Sequence, residues 1–221
     1  MLAKELISDI ISPLHTSDTA QKALSWMEIY KVSHLPIVND KKFLGLISES
    51  DIYDLNEPEL PLGAHKLNLF SPFVYEDDHI FTVISLVANL KLTLIPVLDR
   101  EDNYVGSISL QDIIKYFSKL ISSDNPGAII VLEVSVHNYQ LSQIAQIVES
   151  NNAKILTLYI DNNPDSAKMN VIIKVNVTEI TSIIRTFERY DYTIKATFSE
   201  ETELNELYKN RYELFMRLLN L

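Results

Sequence analysis

The sequence predicts an α/β chain of two successive units: a duplicated hairpin-and-helix module, then a βαββαβ unit with a further helix behind it. Three observations carry this. One apolar pattern occurs twice, about 60 residues apart, and an internal repeat sets the architecture of what contains it. A polar run, Ser122-Ser123-Asp124-Asn125-Pro126-Gly127, separates two apolar regions. Beyond it, strand and helix periodicities alternate in the order β, α, β, β, α, β, the split unit of a ferredoxin-like fold.

The first copy reads His34-Leu35-Pro36-Ile37-Val38, a polar turn, then Phe43-Leu44-Gly45-Leu46-Ile47-Ser48-Glu49-Ser50-Asp51-Ile52. The second reads Leu94-Ile95-Pro96-Val97-Leu98, a polar turn, then Tyr104-Val105-Gly106-Ser107-Ile108-Ser109-Leu110-Gln111-Asp112-Ile113. Each apolar run reads as a short strand starting at its Pro, where the missing N–H costs no interior ladder bond. A second strand follows with one Gly, which marks a bulge or a close approach of something to the backbone. Ser-x-x-Asp then opens a helix, in the pattern of a capping box.

In chain order, residues 2–11 read as a short amphipathic helix ended by Ser12-Pro13, and Leu14-His15-Thr16 as an extended piece. Asp18-Thr19-Ala20-Gln21 starts a helix with Ala20, Ala23, Leu24, Met27 and Tyr30 on one face and Trp26 off it. Residues 56–72 form a linker with three prolines and a glycine. Val74-Tyr75 repeats the extended piece and Asp78 the helix start. Ile80, Val83, Ile84, Val87 and Ala88 repeat the buried face, and Leu110–Ile121 is the closing helix. In the second unit, Ala128–Val136, Lys154–Ile160, Met169–Val175 and Tyr192–Phe198 are strands. Leu141–Ser150 is a helix on Leu141, Ile144, Ala145 and Val148; Glu179–Arg189 is one on Ile180, Ile183, Ile184 and Phe187. Residues 200–221 carry an amphipathic stripe, Leu204, Leu207, Tyr208, Phe215, Leu218 and Leu221. The expected boundaries are 1–121 (about 1–60 and 61–121), 126–199 and 200–221.

On the matched Pro, Gly and Ser-x-x-Asp positions, residues 1–120 resemble tandem CBS repeats, which pair into a Bateman module. That resemblance implies adenine nucleotides or related adenosyl compounds, such as AMP, ADP, ATP or S-adenosylmethionine, bound in clefts between the repeats. It implies that Ser48 and Asp51 hold the ribose in one cleft, and Ser109 and Asp112 in the other. A carboxylate accepts from two vicinal hydroxyls and a serine hydroxyl either donates or accepts, so the chemistry is coherent. The same Ser-x-x-Asp also serves as a plain helix cap. The resemblance further gives His34, two residues before its Pro, to the phosphates, where the second copy has Leu94. The residues before each first helix, Pro13, Leu14 and His15 or Phe73, Val74 and Tyr75, become candidates for flanking the adenine.

The order of the second unit and the stretch Leu141–Ile155 resemble an ACT domain, a family that often binds amino acids between copies. Asn152 stands where that family favours Gly at a helix end, and Asn is the next residue to tolerate the left-handed conformation. Tyr139 stands where the family carries a Gly after the first strand, so its backbone amides are less open to a ligand. The whole arrangement resembles acetoin-utilisation-like regulatory proteins.

Composition narrows the function classes. The 221 residues carry a net charge of −11 and no Lys/Arg cluster, which argues against nucleic acid. There is no cysteine, so disulfide and thiolate chemistry are excluded. No two of the five histidines lie at i, i+4, and only four glycines exist, with no phosphate-binding Gly-rich loop. No apolar run approaches the ~20 residues of a membrane span, and the N-terminus lacks a signal-peptide pattern. The expectation is a non-enzymatic cytoplasmic regulator, a homodimer needing no cofactor, that senses an adenosyl ligand and acts on a protein target. A ligand-free scaffold and an amino-acid sensor are the alternatives.

Overall fold

The computed structural model describes residues 1–199 except 9, 56, 58, 68 and 163–166. The C-terminal stripe read at 200–221 lies outside the described residues. Two compact units divide between Phe117 and Ser118.

In the first unit, each repeat is a helix, a hairpin and a second helix: α1 (Ala20–Tyr30), β1 (His34–Asn39), β2 (Lys42–Ser48) and α2 (Glu49–Tyr53), preceding β3 (Val74–Tyr75), α3 (Ile80–Leu90), β4 (Leu94–Leu98), β5 (Tyr104–Ser109) and α4 (Leu110–Leu120). The β1–β2 turn is two residues, Asp40 and Lys41, both at positive φ. That geometry matches the twist of a tight hairpin. The two hairpins have equivalent registers: His34 faces Ser48 and Ile37 faces Gly45, as Leu94 faces Ser109 and Val97 faces Gly106. Both carry a bulge just after the Gly-facing residue. Val74 pairs in parallel with Val97, and Leu14 makes the matching bridge to Ile37.

The strands begin two residues before the position expected from the sequence, so Pro36 and Pro96 are interior. Pro36 accepts on its carbonyl from Leu14 N–H at 2.8 Å. In a strand, N and O of one residue point the same way, so the missing N–H lies on the third-strand side and leaves the hairpin ladder whole.

The helix expected over residues 2–11 is a single 3₁₀ turn, Ala3–Leu6. Beyond it the chain is spent on strand-like contact: Ser8 N–H donates to the Ser107 carbonyl at 2.9 Å. The segment before repeat 2 mirrors this, with Leu46 N–H donating to the Phe70 carbonyl at 2.7 Å. Each repeat's leading segment thus lies across the other repeat's second strand. Gly45 and Gly106 make room for these crossings. A Cβ on Gly45, at φ +149°, would stand 2.6 Å from Leu69 Cβ, and one on Gly106 would collide with the Ile7 side chain.

The core runs through both repeats: Ala20, Ala23 and Met27 of α1, Ile80, Val83 and Val87 of α3, and Leu35, Ile37, Ile95 and Val97 of the strands. Ala88, expected on the buried face, is exposed, and Ile84 is only half-buried. Each lies one position past a buried Val, toward the outside of the helix. Trp26 is half-buried against the core, with the Lys22 ammonium 4.4 Å from its ring centre.

The second unit has β6 (Ala128–Ser135), α5 (Leu141–Ser150), β7 (Ile155–Asn162), β8 (Lys168–Val175), α6 (Thr181–Arg189) and β9 (Thr193–Phe198). The sheet order is β7-β8-β6-β9, every pair antiparallel, which is the ferredoxin-like topology. Ile130, Leu132, Val171 and Ile173 of the sheet meet Ile144, Val148, Ile183 and Phe187 of the helices. Leu141, expected in that seam, is exposed; Ile147 takes its place. Asn152 has φ 58°, the left-handed conformation expected of it.

Candidate ligand sites

Both Ser-x-x-Asp junctions fold into the same reciprocal cap. In repeat 1, Asp51 N–H donates to Ser48 Oγ at 3.1 Å, and Ser48 N–H donates to Asp51 Oδ2 at 2.8 Å. Ser48 Oγ also donates to Oδ2, at 2.6 Å. In repeat 2, Asp112 N–H donates to Ser109 Oγ and Ser109 N–H to Asp112 Oδ2, each at 3.1 Å. One carboxylate oxygen of each pair is therefore committed to the helix start. The other, Oδ1, carries no hydrogen bond to a described residue. That leaves one acceptor edge per repeat for a hydroxyl pair, held at a fixed angle by the cap.

His34 faces Ser48 across the hairpin and is half-buried. Thr93 comes to it from the other repeat: its hydroxyl accepts from Ser33 N–H at 2.9 Å and lies 3.1 Å from His34 Nδ1. A neutral ring accepting at Nδ1 lets Thr93 accept and donate at once. Burial holds the His34 pKa below the usual histidine value, and the nearby Asp51 carboxylate opposes that shift. Repeat 2 has Leu94 here, fully buried. Thr93 was not singled out from the sequence. Aligning the copies does show it, since Ser33 and Thr93 hold the same position one residue before His34 and Leu94.

The residues before the first helices behave differently from one another. Leu14 and Val74 are buried in the core. His15 N–H and Tyr75 N–H both donate to the carboxylate three residues on, Asp18 and Asp78, each at 2.8 Å. Tyr75 is further engaged by the β4–β5 turn. Arg100 lies 4.4 Å from its ring centre and bonds to Asp77 at 2.7 Å, while the Tyr75 hydroxyl donates to Asp102.

Three hollows lie elsewhere. One of about 470 Å³ runs between α1 and α2, and one of about 310 Å³ between α3 and α4. A third, about 380 Å³, sits in the second unit among Glu133, Lys168, Asn138, Gln143, Asp191 and Tyr192. None of the three is lined by Ser48, Asp51, Ser109, Asp112 or His34. Among the described residues, no group of three or more His, Asp and Glu is arranged to hold a metal, and no helix is long and apolar enough to cross a membrane.

The CBS domain family model matches residues 3–56 and 71–119, one stretch per repeat. Residues 3–119 hold a pair of CBS domains. The CBS pair also matches parts of larger proteins. An inosine-5'-monophosphate dehydrogenase of Methanocaldococcus jannaschii is 28% identical over 50% of this chain and 22% of its own length. A homoserine O-acetyltransferase of Methanococcus vannielii is 25% identical over 51% of this chain and 25% of its own. The chain thus spans about a quarter or less of these curated relatives. A crystal structure of a CBS domain pair/ACT domain protein from Thermotoga maritima is 23% identical, covering 54% of this chain and 98% of that one, at a TM-score of 0.48.

Proposed function

We propose that the chain is a non-catalytic, cytoplasmic regulator whose CBS pair binds an adenosine-containing ligand, AMP, ADP, ATP or S-adenosylmethionine, between the repeats. The observation that carries this is the pair of matched caps. Two carboxylates, Asp51 and Asp112, each keep one oxygen open while backbone and serine bonds hold the other. Ser48 and Ser109 complete two ribose sites, and His34 gives the first a group that takes up charge beside a phosphate. Of the residues before each first helix, Leu14, His15, Val74 and Tyr75, the side chains of His15 and Tyr75 are the ones left to flank the adenine, since Leu14 and Val74 are spent on the core. Ligand binding shifts the orientation of the repeats by its differential affinity for two states. The regulator works as a homodimer on a protein target.

A thermal-shift series at pH 7 with each adenosyl compound, with and without Mg²⁺, tests the reading. A ligand at about 100 times its Kd stabilises by roughly 2.7 kcal/mol, a rise of several degrees. Asp51→Ala and Asp112→Ala together should abolish that rise; a rise that survives in the double variant refutes the ribose assignment. No rise with any compound leaves a ligand-free scaffold.

A second reading rests on the hollow of the second unit, which we read as ACT-like. Lys168 and Glu133, bonded at 2.5 Å, line it with Asp191, so both charge signs needed to meet an amino acid are present. Amino acids in the same thermal series, shifting the midpoint where nucleotides do not, would favour this reading.

A further inference from the structure

Within the second unit, α5 and α6 cover one face of the sheet, where Ile130, Leu132, Val171 and Ile173 point. The residues between these point to the other face, because side chains alternate along a strand. The strand registers align them in rows across β7, β8, β6 and β9. One row is Tyr159, Ile172, Val131 and Ala196, and the next is Thr157, Lys174, Ile129 and Phe198. A polar row of Asp161, Asn170, Glu133 and Thr193 lies on the far side of the first.

The charged groups of this face are drawn off its middle. Lys174 Nζ donates to the Ser122 and Ser123 carbonyls. Lys195 Nζ donates to Asn170 at 2.9 Å, and Lys168 Nζ to Glu133 at 2.5 Å. Asn170 in turn donates to Asp161 at 3.2 Å. What stays in the middle is an apolar strip. Tyr159 and Phe198 are 51% and 58% exposed, and Ile129, Val131 and Ile172 are half-buried. A contiguous apolar strip with a charged rim marks an interaction surface.

We propose that the C-terminal segment of the same chain, residues 200–221, lies as a helix across this strip and closes the sheet between two helical layers. This stands apart from nucleotide binding and from the homodimer reading. Four observations choose the occupant. The segment begins at the strip: β9 is an edge strand ending at Phe198, and Ser199 after it is 7% exposed, so the chain leaves the sheet against the unit. Its length suffices: 22 residues make about 33 Å of helix, against roughly 14 Å across four strands. Its stripe of Leu204, Leu207, Tyr208, Phe215 and Leu218 supplies an apolar face to match. Its first seven residues hold Glu200, Glu201, Glu203 and Glu206 with no Lys or Arg, while the face carries Lys168, Lys174 and Lys195 against Glu133 and Asp161. A segment tethered this closely also meets the strip at an effective concentration on the order of millimolar, ahead of any separate partner.

Two measurements on the full chain test this. Trypsin can cut the segment after Lys209, Arg211 and Arg217. Cutting there should be at least tenfold slower in wild type than in Val131→Glu, which charges the strip, or in Leu207→Glu, which breaks the stripe and leaves the sheet untouched. Equal rates in all three overturn the proposal, and so does protection that Val131→Glu leaves intact. The second measurement is disulfide capture, which is clean because the chain has no cysteine. Ile172→Cys is paired in turn with Leu204→Cys, Leu207→Cys, Phe215→Cys and Leu218→Cys. At least one pair should oxidise within a single chain, keeping the mass of 25.3 kDa. No bridge in any of the four overturns the proposal. Bridges formed only between chains assign the strip to a second copy's segment, and rapid oxidation of Ile172→Cys alone to a covalent dimer assigns it to a second copy's sheet; either overturns it.

Discussion

Repeat 1 and repeat 2 are the same device with different surfaces. Strand register, bulge position and the reciprocal Ser/Asp cap are held in common, down to the crossing of one Gly by the other repeat's leading segment. What differs is the residue facing the cap serine, a half-buried His34 in the first and a fully buried Leu94 in the second, and the charge of the helix groove, which Glu28, Lys31 and Glu49 line in the first and Lys91 alone in the second. The comparison teaches that backbone-determining positions and surface-determining positions are separable in a duplicated fold. The first set is constrained by hydrogen bonds and close approach inside the unit. The second is constrained only by what each repeat faces.

The crossing glycines give the sharpest test of that equivalence. Gly45→Ala meets Leu69 Cβ, the Phe70 carbonyl and a backbone at φ +149°, none of which yields easily. A loss of about 3 kcal/mol or more is expected. Gly106→Ala meets the Ile7 side chain alone within 3.5 Å and should cost roughly 1–2 kcal/mol. Urea midpoints for the two variants check this; equal losses would mean that the crossings are closer copies than their contacts indicate.

Next come the caps. Ser48→Ala should cost about 1 kcal/mol, the usual worth of an N-cap. Ser109→Ala should cost more, because Ser109 is buried and its loss strands the Asp112 N–H where water reaches it poorly. Equal melting shifts would break the asymmetry in burial.

The smallest effect separates His34 from Leu94. Because burial lowers the folded pKa of His34, the unfolded chain binds the extra proton more readily. The stability tied to the neutral ring is fully present above about pH 6.5 and declines as pH falls from there toward the depressed folded value. His34→Leu, which gives repeat 1 the residue of repeat 2, should flatten the melting midpoint between about pH 6.5 and 5 relative to wild type. An identical pH profile in both would show that His34 does not sense the pH change.

Legibility followed the range of the interactions. The capping boxes at Ser48 and Ser109 were readable because they are made by residues three apart. Asn152 was readable because one residue's backbone preference decides it. The apolar spacing of residues 2–11 is helical throughout, yet only Ala3–Leu6 turns, because the next segment is held by the other repeat, where the Ser107 carbonyl accepts from Ser8 N–H. Pro36 and Pro96 were read as strand starts, because the side on which their missing N–H falls depends on a third strand. Thr93 reaches His34 from 59 positions away, so no local pattern announces it.

By itself the sequence determined that a hairpin-and-helix unit is duplicated, that its helices start at Ser-x-x-Asp, and that a βαββαβ unit follows. Those outcomes rest on periodicity, turn residues and caps, which act over a few residues. Tertiary structure alone decided which oxygen of Asp51 and Asp112 stays open, which hydroxyl meets His34, and that Ile84, Ala88, Leu110 and Ile114 form an outer face. Such outcomes are set by which segments cross, and a crossing is an agreement between distant stretches that neither one encodes alone.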